Sequence, residues 1–151
     1  MAYLLTWRTF GTWLPGDKRG WWDHKRGYQA ASPELENYVR KHMTQSPVRL
    51  AVKHRRVVKE RITAYCEYRN WPMHAVTCQS NHVHVVISAL PNPKRVMATL
   101  KSRCTRELKE LFAEEFVDRI WAKRGSVSSL YSPESMKNAA AYVANHECLD
   151  G

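Results

Sequence analysis

The sequence has no CxxC pair, no stretch of about 18 consecutive apolar residues, no internal repeat and no low-complexity tract. Each absence removes a class. Four scattered cysteines (Cys66, Cys78, Cys104, Cys148) give neither a disulfide scaffold nor a zinc-ribbon spacing, and they read as reduced thiols serving as small core residues. Without a long apolar run there is no spanning helix. The opening "MAYLLTWRTFGTW" lacks a basic segment followed by a long apolar one, so it does not read as a signal peptide, and a cytoplasmic, nucleoid-associated protein is expected. Acidic residues are also scarce, 14 against 24 lysines and arginines, for a net charge of +10. That surplus suits a polyanionic partner, and nucleic acid fits better than a membrane because no amphipathic anchor is evident.

Hydrophobic residues make up 44% of the 151 positions, enough for one packed core and one domain over 1–151. "AYLLTWRTF" (2–10) has the aromatic and β-branched content of a strand. An insertion at about 11–50 follows. Its first part, "GTWLPGDKRGWWDHKRG", reads as a long loop in which Trp13, Trp21 and Trp22 stand among Lys18, Arg19, Lys25 and Arg26. Such tryptophans either stack on unpaired bases while the cations hold phosphates, or pin the loop to the core. "SPELENYVRKHM" (32–43) starts like a helix, with Ser32 as N-cap, Pro33 in the first turn and Glu34 and Glu36 near the positive dipole end. Leu35, Tyr38, Val39 and Met43 form its apolar side.

A second helix is expected over 52–69 with Val58, Ile62, Tyr65 and Cys66 as its stripe. Arg55, Arg56 and Lys59 crowd its start, either to touch DNA or as a solvated face. Strands at 71–78 and 82–90, separated by a short turn, should form an antiparallel hairpin. The clearest helix is 92–112: Val96, Leu100, Cys104, Leu108, Leu111 and Phe112 occupy one side, and Lys101, Arg103, Arg106 and Lys109 the other. A short strand at 125–131 and a final Ser-Pro-Glu helix at 132–147 complete the chain. With the insertion set aside, this order predicts an α+β fold: a ferredoxin-like split βαβ with an antiparallel sheet, helices on one face and an added C-terminal helix.

The segment "SNHVHVVISAL" (80–90) is unusual. Alternation puts His82, His84, Val86 and Ser88 on one face of the strand and Val83, Val85, Ile87 and Ala89 on the other. The apolar set belongs under the helices, which leaves the histidines on the open face. There they could grip one divalent ion, or simply make ordinary hydrogen bonds. Histidine-triad nucleotide hydrolases need a third histidine where this chain has Val86, so that reading fails. The last helix offers Tyr142 and, four residues on, His146, which project from the same side.

These features together resemble the HUH single-tyrosine transposases, in the insertion-sequence transposase-like and REP-associated tyrosine transposase branch. The resemblance is carried by "SNHVHVVISA", "PKRVMATLKSRCTRELKELF", "IWAKRGSVSSLYSPESMKNAAAYVANHE" and "YLLTWRTFGTWLPGD", and it covers the insertion least well. It implies that Tyr142, on the last helix, is the nucleophile of metal-dependent single-stranded DNA cleavage and strand transfer through a 5′-phosphotyrosine. It also implies that His82 and His84 hold Mg²⁺ or Mn²⁺, with no nucleotide cofactor. The family's third ligand is a Gln or Asn one turn after the tyrosine. Here that position holds His146, with Asn145 as the alternative, and a third imidazole would admit Zn²⁺. Single-stranded DNA with hairpin structure is the implied substrate. Trp13, Lys18, Arg19, Trp21, Trp22, Arg55, Arg56, Lys101 and Arg103 are the candidate DNA contacts. A monomer and a homodimer that exchanges tyrosine helices both fit. Two further readings stay open: a domesticated, non-catalytic single-strand binder, and a replication initiator or relaxase-like nickase.

Overall fold

The computed structural model describes residues 1–88 and 92–146, with the side chain of His146 outside the description. Ten elements follow one another: β1 (Ala2–Thr9), β2 (Trp21–Asp23), β3 (Gly27–Gln29), α1 (Pro33–Lys41), α2 (Val52–Arg69), β4 (Met73–Cys78), β5 (His82–Ile87), α3 (Pro93–Leu111), β6 (Trp121–Leu130) and α4 (Pro133–His146). The main sheet has the order β4–β5–β1–β6, and every pairing in it is antiparallel. Counting only these strands and the two helices between them, this is the split βαβ order, so the ferredoxin-like α+β expectation holds.

One face of the sheet is packed under α2 and α3. Leu5 and Trp7 of β1 sit opposite Val85 and Val83 of β5. All four are fully buried in one cluster with Val58 and Ile62 of α2 and Val96, Leu100 and Leu108 of α3. Their burial is the main hydrophobic contribution to the fold, at about 25 cal/mol per Å² of apolar area removed from water. Cys66, Cys78 and Cys104 are buried reduced thiols in that core, and burial pushes the Cys66 thiol up to about 11, which keeps it protonated. Cys148 lies outside the described residues.

Helix α4 packs across β4 and β5 on the opposite face. It starts as the Ser-Pro-Glu motif predicts: the Ser135 N–H donates to Ser132 Oγ at 3.0 Å. Small residues on either side of Tyr142 let it lie close to the strands. Val143 of α4 and Val86 on the histidine side of β5 are both fully buried.

The insertion differs from expectation in two respects. A two-stranded hairpin, β2–β3, stands where a plain loop was expected, with Trp22 paired to Tyr28. Asp23 Oδ1 accepts from the N–H groups of Lys25 and Arg26, and Gly27 takes a positive φ of 80° to close the turn. In α1 the apolar side buries no residue; Tyr38 is exposed and stacks on His42 instead. The helix stands apart from the main core, so its amphipathic pattern has little to pack against. Strand β6 also begins four residues earlier than the sequence suggests, at Trp121.

Candidate functional site

His82 and His84 lie on the sheet face opposite α2 and α3, as alternation requires, and their rings meet edge to face with centroids 4.7 Å apart. Tyr142 reaches the same place from α4, with its ring centroid 6.2 Å from that of His84 at an interplanar angle of 69°. The tyrosine is 53% exposed and the histidines are half-buried, so solvent reaches the group. All three belong to one chain.

The neighbours of the histidines decide which ring nitrogens are available. Asn81 Oδ1 lies 2.6 Å from His82 Nδ1. With the amide oxygen facing the ring, it can only accept, so the proton of a neutral His82 sits on Nδ1 and the Nε2 lone pair points away. Asn81 is itself held: its carbonyl accepts from the Thr9 N–H at 2.9 Å and from Thr9 Oγ1 at 3.3 Å. In the register of β1 and β5, Thr6 is directly opposite His84, and its Oγ1 is 2.8 Å from His84 Nδ1. A hydroxyl can play either role, and when Nδ1–H donates to it, the lone pair of His84 is on Nε2. Two imidazoles held in this way, when neutral, fit a divalent cation. Among the described residues no three His, Cys, Asp or Glu side chains converge on one point. Asn145 is exposed on α4, and the His146 side chain lies outside the described residues, so the third ligand stays an expectation.

The candidate DNA contacts fall into three groups. Trp13 is clamped between two guanidinium groups, Arg8 at 4.1 Å and Arg19 at 3.7 Å from the ring centroid, and its indole N–H donates to the Gly20 carbonyl at 2.7 Å. Trp21 and Trp22 form β2, while Lys18 and Arg19 precede it, with Arg19 bound to Asp17 at 2.8 Å. The three tryptophans line a cavity beside β1 and β6, together with Thr6. Arg55 and Arg56 occupy the first turn of α2, whose approach is tied to the β4–β5 turn by the Leu50 N–H donating to the Ser80 carbonyl. Lys101 and Arg103 lie on α3, across the sheet from the site. Lys101 Nζ donates to the Ala122 carbonyl at 3.0 Å, and Arg103 packs over Tyr65. The structure therefore does not bring these last two to Tyr142.

Residue reading missed Thr6, Asn81, Arg8 and Tyr28. Only Asn81 carried a local signal, as the polar residue immediately before His82. Thr6 becomes visible only through strand register. Arg8 sits at the irregularity where β1 and β6 change register, between Trp7 and Thr9. Burial lowers its guanidinium below the usual arginine range, with neighbouring Arg19 acting in the same direction.

Fold and site define a small ferredoxin-like protein with two imidazoles and a phenol on one accessible sheet face. Residues 36–146 match the family model described as "Transposase IS200 like", well over half of the chain, and the protein belongs to that transposase family. A crystal structure of a candidate transposase from Deinococcus radiodurans R1 is 16% identical, with a TM-score of 0.46, over 97% of this chain and 91% of that one. No curated protein matches significantly. No helix among the described residues is long and apolar enough to cross a membrane.

Proposed function

We propose that this transposase-family protein cuts and rejoins single-stranded DNA, at hairpin-bearing ends, with Tyr142 as nucleophile. The reading rests on one observation: the Tyr142 ring is 6.2 Å from His84 within the same chain, on a face left open to a strand of DNA. The phenolic oxygen attacks the scissile phosphorus, and the phenol gives up its proton as the bond forms. The bond from phosphorus to the 3′-oxygen breaks, and that oxygen gains a proton to leave as a 3′-hydroxyl. The 5′-phosphate stays on Tyr142. One phosphoester replaces another, so a second 3′-hydroxyl can reverse the step and join strands without a nucleotide cofactor.

His82 and His84 are the residues that would hold a divalent cation, Mg²⁺ or Mn²⁺, through Nε2. When bound, such an ion supplies Lewis-acid polarisation of the phosphate. Asn81 and Thr6 orient the two rings, and α4 carries the phenol to them.

The test is a labelled single strand incubated with the protein and Mn²⁺ and separated under denaturing conditions. A covalent protein–DNA adduct is expected, absent from Tyr142→Phe and strongly reduced in His82→Ala and His84→Ala. An undiminished adduct with Tyr142→Phe would remove the tyrosine from its role. Cleavage unaffected by chelator would remove the histidines from theirs.

A further inference from the structure

A cavity of about 600 Å³ opens on the histidine side of the sheet, between β1, β6 and the β2–β3 hairpin. Its volume is within the range of small-ligand sites. Thr6, whose Oγ1 is 2.8 Å from His84 Nδ1, also lines it, so one residue is shared between the cavity wall and the surroundings of His84. Trp22 and Tyr28, cross-strand partners in the hairpin, form one wall while remaining 72% and 67% exposed. Two large rings held this far in water contribute little to the core. Trp21 lines the same space, and its indole N–H has no acceptor among the described residues.

Charge points to the same kind of occupant. Arg8 and Arg124 line the cavity. The carboxylate beside them, Asp23, already accepts from two backbone N–H groups of the hairpin turn. Gly20 lies beneath Tyr28 with a φ of 85°, and any Cβ there would collide with the tyrosine ring and hydroxyl. The ring is thus seated on bare backbone, with the Tyr28 hydroxyl donating to the Arg19 carbonyl at 3.1 Å. Aromatic faces with adjacent cations are what an unpaired base and its phosphate require, and a duplex would not offer a base face to them.

We infer that this cavity takes one unpaired nucleobase of the DNA strand whose neighbouring phosphate lies at His82, His84 and Tyr142. Trp22 and Tyr28 supply the stacking surfaces, and Arg8 and Arg124 hold the backbone. The inference rests on the proposed single-strand reaction and adds the part of the protein that selects where in a strand that reaction occurs. The hairpin precedes the residues matched by the transposase family model, so this wall of the cavity is built from sequence outside that match.

The experiment uses mixed-sequence single-stranded oligonucleotides in which one abasic position is moved along the strand. Binding is read by fluorescence anisotropy and reaction by the covalent adduct. Trp22→Ala and Tyr28→Ala, both at exposed positions, are each expected to weaken binding roughly ten- to a hundredfold. Wild-type protein should lose a similar factor when the abasic site falls at one position beside the cleaved phosphate. Trp22→Ala should be indifferent to that position. Unchanged binding by both variants, or an abasic scan with no sensitive position, overturns the inference. If wild-type protein forms no adduct but keeps Trp22-dependent, position-dependent binding, the tyrosine chemistry fails and the base pocket stands.

Discussion

Replacing Thr6 by valine removes one hydroxyl from the face that carries the histidines and changes little else in volume. His84 Nδ1 then loses the hydroxyl at 2.8 Å that favours a proton on Nδ1, and the tautomer with the proton on Nε2 gains population. Loss of such an outer partner typically costs a metal-binding histidine about 10- to 100-fold in affinity or activity. Thr6→Val is therefore expected to raise the Mn²⁺ concentration needed for half-maximal adduct by roughly that factor, with the yield recovering at saturating metal, and Thr6→Ser should behave as wild type. An unchanged Mn²⁺ requirement in Thr6→Val would show that the hydroxyl does not orient the ring. The histidine pair was legible from strand alternation, because period two assigns a face without knowledge of any neighbour. Thr6 was not legible: its place opposite His84 depends on the β1–β5 register, across 78 positions of sequence separation.

The β2–β3 hairpin shows where reading by periodicity stops. Its strands are three residues long, too short for alternation to register, and its turn chemistry is spread over Asp23 and Gly27. The long elements behaved otherwise. Helix α2 spans 52–69 as expected, and its predicted stripe, Val58, Ile62, Tyr65 and Cys66, is buried throughout. What anchors the approach to the hairpin is Asp17, whose carboxylate accepts from the Arg19 backbone N–H, Nε and Nη2, all at 2.8 Å. Hydrogen bonding to Arg19 holds the Asp17 carboxyl at about 2, below its ordinary 3.8. A depressed folded-state value gives stability that is complete above the unfolded value and is lost as pH falls through the folded one. The Asp17–Arg19 pair thus contributes fully at neutral pH and is lost between about pH 4 and pH 2. With Arg19 partly exposed, the contribution is on the order of 1 kcal/mol, or about 2–4 °C in Tm. Asp17→Asn should be less stable than wild type by that amount at pH 6, and the difference should shrink as pH falls towards 2. A pH-independent difference in thermal melts would assign the effect to packing of the loop instead of ionisation.

A net charge of +10 says that the whole molecule attracts polyanions without saying where they run. The fold divides that charge by position. Lys101 and Arg103, on the polar side of α3, are spent inside the structure: one donates to the Ala122 carbonyl, and the other covers the Tyr65 ring. Their positions in the sequence could not reveal this, because a polar helix side faces solvent or a strand edge only once the layers are stacked. Arg124 is different, an exposed guanidinium on β6 lining the cavity that Thr6 also lines. If a single strand passes along that cavity, each phosphate neutralised adds about 0.7 to the slope of log K against log salt concentration. Arg124→Ala is then expected to lower the magnitude of that slope by about 0.7. Lys101→Ala and Arg103→Ala should leave it unchanged while costing folding stability on the order of 1 kcal/mol through lost hydrogen bonding and ring coverage. Binding isotherms across a salt series, paired with denaturant melts of the same variants, separate the two effects. A reduced slope in Arg103→Ala with an intact one in Arg124→Ala would put the strand on the helix layer, across the sheet from Tyr142, and would set aside both the base pocket and the cleavage geometry.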